Sequence, residues 1–316
     1  MRRRHGRGHT VSRTVAAVDC GTNSVRLLVL ERHGDGEVEE LTRQTRLARL
    51  GQGVDATGEF HPEALERTFA VLDEYADLIA EHGVDDVRFV ATSAARDVSN
   101  RDVFESGVRD RLGVGVDVIS GDEEARLSSA GVLSGVTSPR PTLIFDIGGG
   151  STELVVVGSD ERIVSAISLD IGAVRIKERF LPTEPPTPAE TSAARAFVNA
   201  QLDASGTDFA AVASSIGVAG TVTSVAADHL NLATYSRDAV HGTILTLAAI
   251  DEANLRWLEQ TTEQIAANPL LPPLRAAVIG AGSMILAEIV RRLPARKIIV
   301  SESDILDGIA QELLAR

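Results

Sequence analysis

The chain of 316 residues has a single cysteine, Cys20. No intrachain disulfide can form and no Cys-x-x-Cys metal site exists, which fits a cytoplasmic protein. Uninterrupted apolar runs of about 18 residues are missing, so no membrane-spanning helix is expected. The opening MRRRHGRGHTVSR is basic but leads into no apolar segment with a small-residue cleavage site, so it does not read as a secretion signal. It reads as a disordered basic tail over residues 1–13, with a basic arm that touches a polyanion as the alternative. Positive charge is in short supply overall, with 31 Lys and Arg against 45 Asp and Glu and a net charge of −14. A general nucleic-acid binder needs a basic face, so that class is set aside. An anionic substrate held locally with metal ions is not excluded.

What is present is a hydrophobic content of 44%, enough length for two ordinary domains, and alternating strand and helix periodicities. Strands are predicted at 14–19, 24–31, 38–50, 86–93 and 115–120. Helices are predicted at 61–83, with Pro62 near its first turn and Gly83 at its end, and at 100–113 and 121–133. The pattern then restarts. Strands are predicted at 141–147, 152–158 and 162–170, a helix at 173–180, and a proline-rich loop at 181–188. A helix (189–203), a strand (210–217), a helix (220–230), a strand (242–247) and helices through Leu293 follow, including one over 248–266 with Trp257 in its core face. A strand (297–302) and a helix (305–316) close the chain.

The two halves share a local signature. Asp19-Cys-Gly21-Thr-Asn-Ser24-Val-Arg-Leu27 aligns without gaps on Asp146-Ile-Gly148-Gly-Gly-Ser151-Thr-Glu-Leu154, in the frame D-x-G-x-x-S-x-x-L. Each copy lies between the first and second strand of its half, which indicates a duplicated domain. Glycine weakens a strand and is useful where backbone must turn tightly or approach something closely. Successive bare amides form an anion-binding nest, and Ser or Thr hydroxyls add donors. An Asp at the strand end would repel phosphate unless it holds Mg²⁺, directly or through water. Two such hairpins facing each other would clamp a phosphate chain. One alone would more simply be a tight turn.

The segments AAVDCGTNSVRLLV, ATSAARDVSN, VISGDEEARLSSAGV, FDIGGGSTELVV and IGVAGTVTSVA together resemble the exopolyphosphatase / guanosine pentaphosphate phosphatase family. HGTIL (241–245), VIGAGSMILAEIV (278–290) and VSESDILDGI (300–309) extend the resemblance over about 14–316. The match is to the short, two-domain members, without the C-terminal helical extension of longer ones. The resemblance implies an α/β fold of two ribonuclease-H-like domains, of the actin-like ATPase superfamily, with a cleft between them. Residues 14–128 plus 303–316 would form one domain and 129–302 the other.

By the same resemblance Glu124, second Glu of SG-x-EEA, is the general base that activates water. From the residues alone, Asp122, Glu123 and Glu124 serve equally as first-turn acids on a helix dipole. Asp146, Glu153 and Asp19 are expected to hold Mg²⁺, with Mn²⁺ as the alternative. Gly21, Thr22, Asn23, Ser24, Gly148, Gly149, Gly150 and Ser151 are expected to cradle phosphate. Arg96 offers a bidentate guanidinium, and Gly220 and Thr221 open a helix that could receive a further phosphate. His241 shapes the cleft. Cys20 lacks the CxxxxxR loop of a cysteine phosphatase and reads as core packing. The activity implied is metal-dependent hydrolysis of the terminal phosphate of inorganic polyphosphate, releasing orthophosphate. Guanosine pentaphosphate (pppGpp) is the alternative substrate. A small-molecule kinase of the superfamily and a non-catalytic polyphosphate sensor are the competing classes. No membrane or nucleic-acid partner is expected, and a homodimer is expected by analogy with relatives.

Overall fold

A computed structural model describes residues 12–96 and 98–316. The basic tail falls outside the described residues up to residue 11. Strand structure begins at Arg13, which pairs with Asp86 at 3.3 Å. The first half forms a sheet of β1 (Arg13–Cys20), β2 (Ser24–Arg32), β3 (Val38–Leu47), β4 (Asp86–Ala91) and β5 (Val116–Val118). The second contains β6 (Thr142–Ile147), β7 (Thr152–Val157), β8 (Ile163–Leu169), β9 (Ser214–Val218), β10 (Ile244–Thr246) and β11 (Lys297–Val300).

The strand orders are β3-β2-β1-β4-β5 and β8-β7-β6-β9-β11-β10. In each sheet the first three strands form an antiparallel meander, and the fourth runs parallel to the first. β11 takes the fifth place of the second sheet, and β10 is an added antiparallel edge. This is the ribonuclease-H-like fold, present twice. Central strands β1 and β6 are buried almost throughout. That is why TVAAVDC and TLIFDI read as continuous apolar runs rather than alternating ones.

Two helices join the lobes. Gly121–Gly135 packs on β6, β7 and β8, and Ile305–Ala315 packs on β1, β2 and β4. They cross at a glycine notch. A Cβ on Gly131 would lie 1.8 Å from the Asp304 carbonyl oxygen, and one on Gly308 2.0 Å from that of Leu127. The expected domain boundary at 128 falls inside the first of these helices. Contrary to the expectation from uninterrupted apolar runs, Pro273–Arg292 is long and apolar enough to cross a membrane; 78% of its apolar stretch is buried inside the protein. Trp257 and Cys20 are core residues.

Some local expectations give way. The strand expected over 86–93 ends at Ala91, and Ser93 opens a helical turn, Ser93–Arg96. The helix expected over 248–266 is two, Leu247–Leu258 and Thr262–Ala266, because Thr261 and Gln264 form a capping box that starts a new one. The strand expected from 210 begins at Ser214, after a 3₁₀ turn capped by Asp208. Short helices Val54–Thr57 and Arg237–Val240 had no periodicity to announce them.

Candidate functional site

Both hairpins close in the same way. The Gly21 amide donates to the Ser24 carbonyl at 2.9 Å, and the Gly148 amide to that of Ser151 at 3.0 Å. In each lobe, the chain following the third strand ties down the loop's carbonyls. The Ala48 and Arg49 amides donate to Asn23 O (3.1 and 2.9 Å), and that of Gly51 to Thr22 O (2.9 Å). The Ala173 amide donates to Gly148 O (2.9 Å), and those of Val174 and Arg175 to Gly149 O (2.8 and 3.1 Å). Arg175 Nε adds a bond to Gly150 O at 2.8 Å. With the carbonyls engaged, the amides of Thr22, Asn23, Gly149 and Gly150 have no acceptor among the described residues. Unpaired amides beside a cavity need an outside acceptor, and an anion supplies one.

The bareness of the second loop has another cause. A Cβ on Gly149 would lie 2.9 Å from Thr22 Cβ, and one on Gly150 2.4 Å from Ser93 Oγ. Thus the hairpins of the two lobes touch. Gly172 permits the close turn beneath them, since its Cβ would lie 2.3 Å from Gly149 O.

One cavity of about 710 Å³ lies between the lobes. Its wall includes Asp19, Gly21, Thr22, Asn23 and Ser24 from the first hairpin, and Asp146, Gly148, Gly149, Gly150 and Ser151 from the second. Glu124, Gly220 and Thr221 also line it. Ala219, which opens the helix Ala219–His229, takes a φ of 67°. That left-handed value strains a residue with a Cβ, and such strain gathers at functional sites.

Five carboxylates gather here, all under 10% exposed: Asp19, Glu124, Asp146, Glu153 and Asp304. Asp146 and Glu153 are direct cross-strand partners, as are Asp19 and Arg26 in the other hairpin. The duplication therefore pairs an acid with an acid in one lobe and with a base in the other. Arg26 donates to Asp19 through Nε and Nη2 at 3.0 and 2.5 Å, and through Nη1 to Asp304. Burial raises the Asp19 carboxyl above its ordinary value despite that pairing.

Glu124 follows Ser120, whose hydroxyl caps the helix by accepting from the Glu123 amide at 3.2 Å. Burial, and then the charge of Glu153, push the Glu124 carboxyl well above its ordinary value; Arg96 pulls the other way. Arg96 Nη1 donates to Glu124 Oε2 at 3.1 Å and to the Ile119 carbonyl at 3.3 Å. Asp146 and Glu153 are likewise raised, burial being the largest cause for each. Ser168 Oγ donates to Glu153 Oε1 at 2.7 Å, while Glu153 Oε2 is buried without a partner. Asp19 Oδ1 is orphaned too. Crowded, partly orphaned carboxylate oxygens suit a hard divalent cation, so the donor set fits Mg²⁺.

Residues 29–316 match the Ppx/GppA phosphatase family. The chain belongs to that family. Exopolyphosphatase 2 of Mycobacterium tuberculosis strain H37Rv is 42% identical over 314 residues, spanning 95% of this chain and 98% of that protein. The crystal structure of an exopolyphosphatase-like protein superposes with a TM-score of 0.91 at 37% identity, over 96% of this chain and 99% of the other. A Ppx/GppA family member of Aquifex aeolicus gives a TM-score of 0.80 at 31% identity, over 96% and 99%. This Ppx/GppA phosphatase is a phosphoanhydride hydrolase.

Within it, most of the expected site residues share this cavity, and three do not reach its wall: Arg96, Glu153 and His241, whose ring accepts from the Glu302 amide instead. Arg96 is engaged with Glu124 rather than turned to an open phosphate position. Glu153 lies behind the wall, 1% exposed. Gly220 opens its helix beneath Arg275, since a Cβ there would lie 1.6 Å from Arg275 Nη1. That guanidinium stands over the helix start where a phosphate was expected. Arg26, Asp304 and Arg275 were not foreseen. Arg26 had a signal, its place opposite Glu153 in the gapless alignment, and Asp304 lies inside the segment VSESDILDGI; Arg275 had none. Glu31, His33 and Glu39 could also hold a cation. They lie at the ends of β2 and β3 away from the glycine hairpin, outside the cavity.

Proposed function

We propose that this Ppx/GppA phosphatase removes the terminal phosphate of inorganic polyphosphate and releases orthophosphate. The observation that carries the reading is the set of four unbonded amides, two from each lobe, beside one cavity with a desolvated carboxylate. The amides of Thr22, Asn23, Gly149 and Gly150, with the hydroxyls of Ser24 and Ser151, hold the phosphoryl oxygens. Glu124 orients a water and takes its proton, and burial raises its proton affinity in the metal-free protein. Arg96 keeps Glu124 in place and limits that rise. Asp146 and Glu153 would hold Mg²⁺, with Asp19 the third carboxylate nearby. The cation supplies charge neutralisation for the leaving phosphate chain. Exopolyphosphatase 2, at 42% identity over almost the full chain, supports polyphosphate as the substrate.

A second reading, pppGpp, has one observation in its favour. The cavity wall away from the hairpins includes Pro269, Leu270, Pro272, Val278 and Ile279. An apolar wall of this kind suits a flat base, which polyphosphate lacks. The test is phosphate release from polyphosphate and from pppGpp side by side, with Mg²⁺ and with chelator. The proposal expects polyphosphate to be consumed faster and chelator to stop both reactions. Turnover of pppGpp alone would replace the substrate, and full activity in chelator would remove the metal. The packing of Ile305–Ala315 on β1, β2 and β4 supports grouping 303–316 with the first domain.

A further inference from the structure

The two segments that tie down the hairpin carbonyls are themselves joined across the lobes. Residues 48–51 support the first hairpin, and Asp55 follows on the short helix Val54–Thr57. The start of helix Ala173–Phe180 supports the second hairpin. Asp55 accepts from Arg175 Nη1 and from Nε and Nη2 of Arg179, both on that helix. The pairing is returned. Glu178 of the same helix accepts from the Gly53 amide at 3.2 Å and pairs with Arg49 at 3.4 Å. Each support thus offers a carboxylate to the other's donors.

The Asp55–Arg175 pair is shielded, while Arg179 is more open, its side chain 39% exposed. The side chains of Asp55 and Arg175 are 17% and 13% exposed. Shielding separates them from exposed surface pairs, which contribute little. The Arg179 hydrogen bond, with the charges of both arginines, holds the Asp55 carboxyl below its usual range. None of Arg49, Gly53, Asp55, Arg175, Glu178 or Arg179 lines the cavity. Their route to the substrate is indirect: Asp55 to Arg175, Arg175 Nε to the Gly150 carbonyl, and Gly150 to the cavity.

We infer that Asp55 is a positioning residue for the phosphatase reaction, clamping the two amide cradles at one spacing through Arg175 and Arg179. The inference rests on the cradle reading above. A polyanion that touches both lobes gains both sets of bonds only if the spacing is already set, and a loose pair loses affinity before it loses chemistry.

The test is Asp55→Asn, which keeps the side chain's shape and removes its charge. The expected result is a KM for polyphosphate raised about tenfold with kcat within about threefold, because the cradles and not the reacting groups are disturbed. Asp55→Glu, which keeps the charge, restores KM to within about threefold of wild type. If Asp55→Asn does not fold, Glu178→Gln cuts the returned pair and carries the same expectation. A second readout uses spin labels on Glu66→Cys and Ser192→Cys, exposed positions on the two lobes. In ligand-free protein the inter-lobe distance distribution is broader with Asp55→Asn than without it. An unchanged KM in a folded variant, or equal distributions, overturns the clamp. The distance measurement does not depend on the substrate, so inert polyphosphate with wild type would count against the proposed function alone.

Discussion

Replacing Glu124 with glutamine keeps the size of the side chain and removes its charge, and two opposite outcomes follow from the same burial. A carboxylate in the first turns of a helix is ordinarily favoured, by about 0.3–1 kcal/mol, through the positive end of the helix. Arg96 adds to that attraction. Burial and the Glu153 charge oppose both and prevail, since the carboxyl is raised well above its ordinary 4.5. Such a group binds its proton more tightly in the folded than in the unfolded protein. Wild type therefore loses stability as pH rises from about 4.5 towards the raised folded value. Glu124→Gln has no proton to lose there. In chelator, the variant is expected to melt with wild type near pH 4 and above it at pH 8. Each kcal/mol is worth about 2–4 °C in a protein somewhat smaller than this one. Phosphate release moves the other way. Loss of a positioned general base costs about 10²- to 10⁴-fold, or about 3–5 kcal/mol of transition-state stabilisation. The assays are phosphate release from polyphosphate and calorimetric melts at the two pH values. Turnover within about tenfold of wild type would refute the role of Glu124, and a variant less stable than wild type at pH 8 would refute the electrostatic account.

Arg96→Gln removes the charge that restrains Glu124, so the base keeps its proton to higher pH; the acid limb of the kcat/KM profile should move upward, and a limb that stays or falls contradicts the pairing. Arg26→Gln leaves Asp19 and Asp304 buried without their cation, which should cost about 3–5 kcal/mol in a urea titration. A loss under about 1 kcal/mol would show that solvent already screens the pair. Gly172→Ala places a methyl 2.3 Å from the Gly149 carbonyl oxygen. Displacing that loop should lower activity about 100-fold and stability by about 1–3 kcal/mol, measured by phosphate release and melting.

Much of the site is written locally. The D-x-G-x-x-S frame closes its hairpin through a bond from its glycine to its serine, three residues apart, so both loops were legible and so was their placement between first and second strands. The support beneath them was not, because residues 48–51 and 172–175 gain meaning only when the third strand returns beside the loop. Arg96 shows the same limit. Its place after β4 invited a phosphate-binding role, but the neighbouring strand β5 leads into the helix that brings Glu124, 28 positions away, against its guanidinium. In the local pattern the three glycines at 148–150 are room for phosphate. Gly149 and Gly150 are also room for Thr22 and Ser93 of the facing lobe, a contact that no local pattern encodes.

The order of residues by itself determined the duplicated α/β architecture, the two amide-rich turns and the acids that accompany them. Periodicity, turn chemistry and hairpin closure each span only a few residues, so short segments settle them. Hairpin register also sets the pairs Asp19–Arg26 and Asp146–Glu153; tertiary structure alone decided what else each pair meets. Asp19 is neutralised through Arg26, held on its other side by Asp304 from 278 positions further along the chain, whereas Asp146 faces Glu153 across a strand pair. Charge state depends on burial and on distances between side chains, and those exist only once the lobes have closed.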